Sequence, residues 1–330
     1  MSHPSFQSAA ALTAFGSYVP DRILTNEDLS RIVDTNHEWI VQRTGIVERR
    51  ISAEDEYCSD LCFAAVRNML ERYPVQLQDV DFVLVATTTP DTFFPSMAAR
   101  VQAEFGIASC GAVDIQAACA GFVAALQIAN GLILTGVHRK ILVIGTETLS
   151  KITDYTDRTT CILFGDGSGA ALVERADKGA FIGSYVSTSG GEGHQLYRSS
   201  LSSSINGKEI LANGKIVQNG REVYKWAVSQ VPRGINALLE RYSLTVEDID
   251  WFVPHSANMR IIESVCEKTG IPIERTLSSI EHYGNTSAAS IPLAIDLALK
   301  EGRMSEGDTV LLYGFGGGLT ESALLLRWTL

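Results

Sequence analysis

The stretch "LQDVDFVLVA" (residues 77–86) has a near-copy, "VEDIDWFVPH" (residues 246–255), in the second half of the chain. Each passes from a polar lead-in through an aspartate into a continuous apolar segment, and Asp81 and Asp250 are 250 − 81 = 169 residues apart. Two further pairs keep nearly the same offset. "FGSYVP" begins at Phe15 and "IGSYVS" at Ile182 (182 − 15 = 167), and Ile141 of "ILVIG" precedes Thr309 of "TVLLYG" by 309 − 141 = 168. Three matches this close to one offset indicate duplication of a domain-sized unit rather than a solenoid of short repeats.

Apolar, β-branched runs at 81–89, 140–148, 251–257 and 308–318 alternate with longer helical patterns. That alternation predicts an α/β architecture with strands buried on both faces. The seam falls in "VERADKGAF", near Asp177–Gly179, giving an N-terminal half (1–177) and a C-terminal half (178–330). Each half contains small residues opening a helix: "CAGFVAALQIANGLILTG" from Cys119 and "SAASIPLAIDLALKEG" from Ser287. The offset pairs Cys119 with Ser287. Packing of the halves about a pseudo-dyad would set these helix starts face to face and let Cys119, His255 and Asn285 meet.

With 330 residues, 45% of them hydrophobic, the chain can bury a core spanning two such units. No apolar run approaches the ~20 residues needed to cross a bilayer, and "MSHPSFQSAA" lacks a signal peptide's basic start and apolar centre. A cytoplasmic protein is expected. A net charge of −11 argues against nucleic acid and anionic membranes as bulk partners. The six cysteines have neither disulfide-framework nor zinc spacing and read as reduced thiols.

In "DIQAACAGF" (114–122), Cys119 reads either as packing in a buried helix start or as a nucleophile. A thiol at a helix N-terminus meets unpaired N–H groups and the positive end of the dipole, so its pKa is expected to fall. His255, after an apolar strand, reads as a hydrogen-bonded structural residue or as a catalyst; Asn285 in "HYGNTS" reads as turn chemistry or as a donor. "GFGGGLT" (314–320) lacks the spacing of a phosphate-binding loop. Its glycines can instead present a backbone N–H to an oxyanion.

Taken together and in order, "GSYVPDRILTNEDL", "WIVQRTGIVERR", "DIQAACAGF", "FGDGSGAALVE", "VPHSANMRII", "HYGNTSAASIP" and "GFGGGLT" resemble the β-ketoacyl-acyl-carrier-protein synthase III family nearly end to end. The resemblance implies a thiolase-like fold, with duplicated α/β halves in a five-layered αβαβα arrangement. It implies a homodimeric initiating enzyme of fatty acid synthesis, which joins a short acyl-CoA primer to malonyl-acyl-carrier protein by decarboxylative Claisen condensation without a cofactor. A thiolase-fold condensing or acyl-transfer enzyme of secondary metabolism is the alternative. Cys119, His255 and Asn285 match the family's triad, and the backbone N–H groups of Cys119 and Gly317 its oxyanion donors. Trp39, Arg43, Arg158, Gly220 and Asn258 match CoA-binding positions. Phe164 and Phe315 match aromatics beside the acyl cysteine, and Phe94 one reaching into the partner subunit's acyl pocket. Lys225, Arg260 and Lys268 match carrier-protein docking positions. Glu267 departs from a lysine found in some members, and Ser256 from a glutamine found in many.

Overall fold

The computed structural model describes residues 8–330; part of the segment read for a signal peptide, residues 1–7, lies outside the described residues. In the first sheet, strands β1 (Ala10–Tyr18), β2 (Phe82–Ala86), β3 (Gly111–Ile115), β4 (Lys140–Thr148) and β5 (Asp166–Arg175) lie in the order β1-β5-β4-β2-β3. The second sheet contains β6 (Phe181–Thr188), β7 (Trp251–Pro254), β8 (Thr309–Gly316) and β9 (Thr320–Arg327), in the order β7-β8-β9-β6. In both, a parallel pair adjoins two antiparallel pairings: β2 with β4, then β5, then β1; and β7 with β8, then β9, then β6. Where the first sheet has its edge strand β3, the second retains a single parallel bridge, Phe252–Thr276. The strands of one sheet come from residues 10–175 and those of the other from 181–327.

Seven principal helices, α1 (His37–Thr44), α2 (Cys58–Arg72), α3 (Met97–Glu104), α4 (Gly121–Leu134), α5 (Gly220–Tyr242), α6 (Met259–Thr269) and α7 (Ser290–Lys300), complete the arrangement. Helices α4 and α7 lie between the sheets. Their Phe122, Leu126, Ile291 and Ile295 join β-sheet residues such as Val143 and Leu312 in one continuous core. Helix α4 is apolar nearly all round because it contacts both sheets. Helices α2 and α3 cover the outer face of the first sheet, and α5 and α6 that of the second. Five layers result. No helix among the described residues is long and apolar enough to cross a membrane.

The central layer closes through one matched pair of glycines. A β-carbon on Gly145, in β4, would stand 2.5 Å from the Ala288 carbonyl oxygen. Its counterpart Gly314 in β8 (314 − 145 = 169) would place one 2.7 Å from Ala120 Cα and 2.9 Å from the Cys119 carbonyl oxygen. Each half thus removes a side chain so that the other half's helix start can rest against its central strand.

Each helix start is a 3-10 turn, Ala118–Ala120 before α4 and Ser287–Ala289 before α7. Ala118 (φ +45°) and Ser287 (φ +47°) both occupy the left-handed region. Ala118, not Cys119, is therefore the counterpart of Ser287, at 287 − 118 = 169, and Cys119 corresponds to Ala288. The one-residue correction arises because the offset drifts between 167 in the first strands and 169 here.

Two glycines predict opposite effects. Gly314→Ala should cost about 1–3 kcal/mol through backbone overlap. Gly131→Ala, at an exposed α4 position with open space around its β-carbon, should stabilise by about 0.5–1 kcal/mol. Denaturant midpoints that move in opposite directions for the two variants are the expected outcome.

Candidate active site

A cavity of about 640 Å³ runs from exposed Arg43 and Arg221 down to Cys119, His255 and Asn285, all three of which are buried. Its walls come from both halves. The cysteine enters on the turn before α4, the histidine at the end of β7 and the asparagine on the segment before the second 3-10 turn.

The Cys119 sulfur lies beside its own backbone N–H, that of Gly317 and the Ser287 hydroxyl. These donors favour the thiolate. Burial outweighs them, with the buried Glu147 carboxylate adding to it, and pushes the thiol up to about 11. The lowered pKa expected from a helix N-terminus is thus overturned by desolvation. The two N–H groups lie beside the sulfur, placed to receive the oxyanion that forms on the carbonyl oxygen of a thioester attached to it.

His255 is buried, and only desolvation acts on its ionisation, lowering its pKa to about 3. Its backbone N–H donates to the Tyr313 carbonyl at 2.8 Å, and Phe315 meets the ring edge-on at 5.4 Å between centroids. Nδ1 lies 2.7 Å from Ser290 Oγ. Ser290 Oγ also accepts from the Ser256 N–H (3.4 Å), which leaves its own proton free to donate to Nδ1. Neutral His255 then carries its proton on Nε2, the ring nitrogen left for the cavity.

Asn285 is oriented by an equally local device. Its Oδ1 accepts from the Ser287 N–H at 2.9 Å, so the free end of the amide is the donor, Nδ2. Its backbone exchanges hydrogen bonds with Leu163 and Gly165 across the bridge to Phe164. Phe164 and Phe315, both buried, line the cavity beside the three residues. Two neutral N–H donors and a sulfur thus face one apolar-walled space.

The outer cavity carries most of the positions implied in CoA binding. The half-buried Trp39 ring lies 5.7 Å from the Arg43 guanidinium and 5.1 Å from that of Arg158. Arg158 covers the ring without lining the cavity. Asn258 caps α6, and its Nδ2 donates to the Arg43 carbonyl at 3.1 Å; Gly220 opens α5 with open space where a β-carbon would stand. Lys225, paired with Glu222 at 2.7 Å, and Arg260 also line the cavity. Lys268 does not; its amino group donates to the Val228 carbonyl outside it. Phe94 is exposed and lies away from its own chain's cavity.

Sequence reasoning missed Glu147 and the part played by Ser290. Glu147 ends an otherwise apolar strand, "KILVIGTET", and an acid at the end of a continuous buried run was its available signal. Ser290 opens α7 directly after the 3-10 turn that follows Asn285, within a small-residue run that reads as packing alone. All six cysteines are unpaired.

Residues 113–190 match the profile of the family described as 3-oxoacyl-[acyl-carrier-protein (ACP)] synthase III, and residues 239–328 match that of its C-terminal part. The chain is 59% identical over 322 residues to the protein called beta-ketoacyl-[acyl-carrier-protein] synthase III 2 of Bacillus subtilis, covering 97% of this chain and 99% of that one. It is 56% identical over 323 residues to the protein of the same name from Halalkalibacterium halodurans, covering 98% and 97%. The crystal structure of the β-ketoacyl-[acyl carrier protein] synthase III of Thermus thermophilus superposes with a TM-score of 0.93 at 46% identity, covering 96% of this chain and 99% of that one.

The histidine's environment makes a spectroscopic prediction. With its folded-state pKa near 3 and an unfolded value near 6.5, His255 binds fewer protons folded than unfolded between those values. It therefore removes stability as pH falls through that window. In ¹⁵N-histidine spectra, the His255 ring signals should stay constant from pH 8 to pH 5; a titration centred near 6.5 would contradict the burial argument.

Proposed function

The chain belongs to the 3-oxoacyl-[acyl-carrier-protein] synthase III family, and from that membership we propose that Cys119 is the acylated nucleophile and that His255 and Asn285 are the two donors for decarboxylation. The protein is a condensing acyltransferase of the β-ketoacyl-acyl-carrier-protein synthase III type, with the thiolase fold, and initiates fatty acid synthesis. What carries the residue assignment is the convergence of Cys119 Sγ, neutral His255 and the Asn285 amide on one buried cavity that opens beside Trp39 and Arg43.

An acyl-CoA enters with its nucleotide end near Trp39, Arg43 and Arg158. Parting the Arg158 guanidinium from the Trp39 face lets an adenine ring stack between them. The pantetheine arm passes Gly220 and Asn258. Cys119 Sγ attacks the acyl carbonyl carbon, the Cys119 and Gly317 N–H groups hold the oxyanion, and the carbon–sulfur bond to CoA breaks. Malonyl-acyl-carrier protein then occupies the same channel. Its carboxylate leaves as CO₂, and the bond's electrons pass to the α-carbon and the thioester oxygen. The enolate oxygen accepts from His255 Nε2–H and Asn285 Nδ2–H. Because both donors are uncharged, they stabilise the enolate without protonating it. The α-carbon attacks the Cys119 thioester, the sulfur leaves, and the β-ketoacyl chain departs on the carrier protein. Loss of CO₂ supplies the driving force, so the reaction asks for no metal or redox cofactor.

Carrier-protein docking falls to Lys225, Arg260 and Lys268, a local basic cluster on a chain of net charge −11. The working protein is a cytoplasmic homodimer. Its interface forms on the exposed edge strand β3 and the loop bearing Phe93 and Phe94, where Val113, Phe93 and Phe94 leave apolar surface uncovered. Phe94 then enters the partner's acyl pocket.

Cys119→Ala should abolish the acetyl mass gain on incubation with acetyl-CoA. His255→Ala and Asn285→Ala should keep that gain while lowering CO₂ release from malonyl-acyl-carrier protein by about 10²–10⁴-fold. Equal loss of acylation in all three variants would overturn this division of labour. Val113→Asp should shift the molecular mass by light scattering from dimer to monomer; an unchanged mass would move the interface elsewhere.

A further inference from the structure

Glu147 is a buried carboxylate that the mechanism above leaves idle. It ends β4 in the first half, and its Oε1 accepts a hydrogen bond from Ser287 Oγ of the second half at 3.1 Å. Thr89 Oγ1 donates to Oε2 at 2.7 Å, and the Thr88 N–H and hydroxyl lie at 3.0–3.1 Å from both oxygens. Thr87 Oγ1 is 3.5 Å away. The titratable groups facing it are two thiols, Cys119 and Cys58. Among the described residues, no cation forms an ion pair with it. Ser287 also reaches the Cys119 sulfur. The Ser287 hydroxyl, bonded to the Glu147 carboxylate and lying beside the Cys119 sulfur, therefore links the two across the boundary between the halves.

We propose that Ser287 and Glu147 form a proton relay for acylation, in which Ser287 Oγ takes the Cys119 thiol proton while passing its own proton to Glu147 Oε1. This rests on the reading of Cys119 as the nucleophile. The relay meets a need the geometry creates, since the thiol is held up to about 11 and is seldom ionised at neutral pH. Burial also raises Glu147, to about 7, which suits it to accept and return a proton near neutrality. As the proton leaves, Sγ bonds to the acyl carbon. As the bond to CoA breaks, Glu147 returns a proton to Ser287 Oγ, which gives its own to the departing CoA sulfur. The products are the Cys119 thioester, CoA as a thiol and the enzyme in its starting protonation state. Ser287 touches the reacting sulfur; Glu147 is a positioning residue that acts only through it.

Rapid-quench intact-mass kinetics with acetyl-CoA between pH 5.5 and 9 test the relay in the full-length wild type, Glu147→Gln and Ser287→Ala. Wild-type acylation should rise through an inflection near 7. Both variants should lose that inflection and acylate about 10²-fold more slowly at pH 7.5. CO₂ release by enzyme acylated to completion beforehand should fall by much less, under about threefold. Glu147→Gln acylating as fast as wild type, or faster, would overturn the relay, because a carboxylate that merely repels a thiolate gives that result. Equal slowing of acylation and CO₂ release in both variants would overturn it too, marking a structural role. A wild type that gains no acetyl mass would remove the nucleophile itself, and the relay with it.

Discussion

The site depends on two turns that lie against each other's sheets. Gly145 and Gly314 are the points where a β-carbon would hold the halves apart. With both absent, the turn bearing Cys119 rests on the second sheet's central strand, and the turn after Asn285 rests on the first sheet's. The same contact carries the burial of the central layer, so stability and the geometry of the site share one cause. A side chain at either glycine would separate the reactive groups as well as open the core.

Burial then decides the protonation states. It raises Cys119 and Glu147 and lowers His255, so every ionisable group at the floor of the cavity is pushed toward its uncharged form. For His255 this serves enolate stabilisation directly, since a neutral Nε2–H donor strengthens as negative charge develops but gives up its proton reluctantly. For Cys119 it creates a difficulty, because the reactive form of a thiol is the anion. The two backbone N–H groups beside the sulfur reduce that difficulty without removing it, and the nearby Ser287 hydroxyl leads on to a carboxylate.

The duplication and the α/β alternation were legible because they are periodic. The segment "KILVIGTET" coincides with β4 end to end, since a strand buried on both faces is a continuous apolar run. The offset between halves was enough to bring Cys119, His255 and Asn285 to one region. It misassigned the partner of Ser287 by one residue, because turns absorb insertions that a constant offset ignores. Strand β9, "TESALLLR", went unread because it follows the glycine run as the return arm of a tight hairpin, with no polar turn of its own to mark it. The upward shift of Glu147 and the direction of the Cys119 shift were invisible for a common reason. Both depend on how much water reaches a group, and that is a property of tertiary packing rather than of neighbours in sequence. The roles implied by family resemblance were specific where motifs are long; Lys268, outside the cavity, had only the resemblance behind it.

The central claim is that both halves converge to hold an acyl group on one buried sulfur beneath two backbone donors and beside two neutral side-chain donors. A crystal structure of the protein soaked with acetyl-CoA tests it most directly. The account predicts density continuous with Cys119 Sγ, the acetyl oxygen about 3 Å from the Cys119 and Gly317 nitrogens, and the opposite side open toward His255 and Asn285. An acetyl group on another residue, or one on Cys119 with its oxygen turned away from both backbone nitrogens, would contradict it.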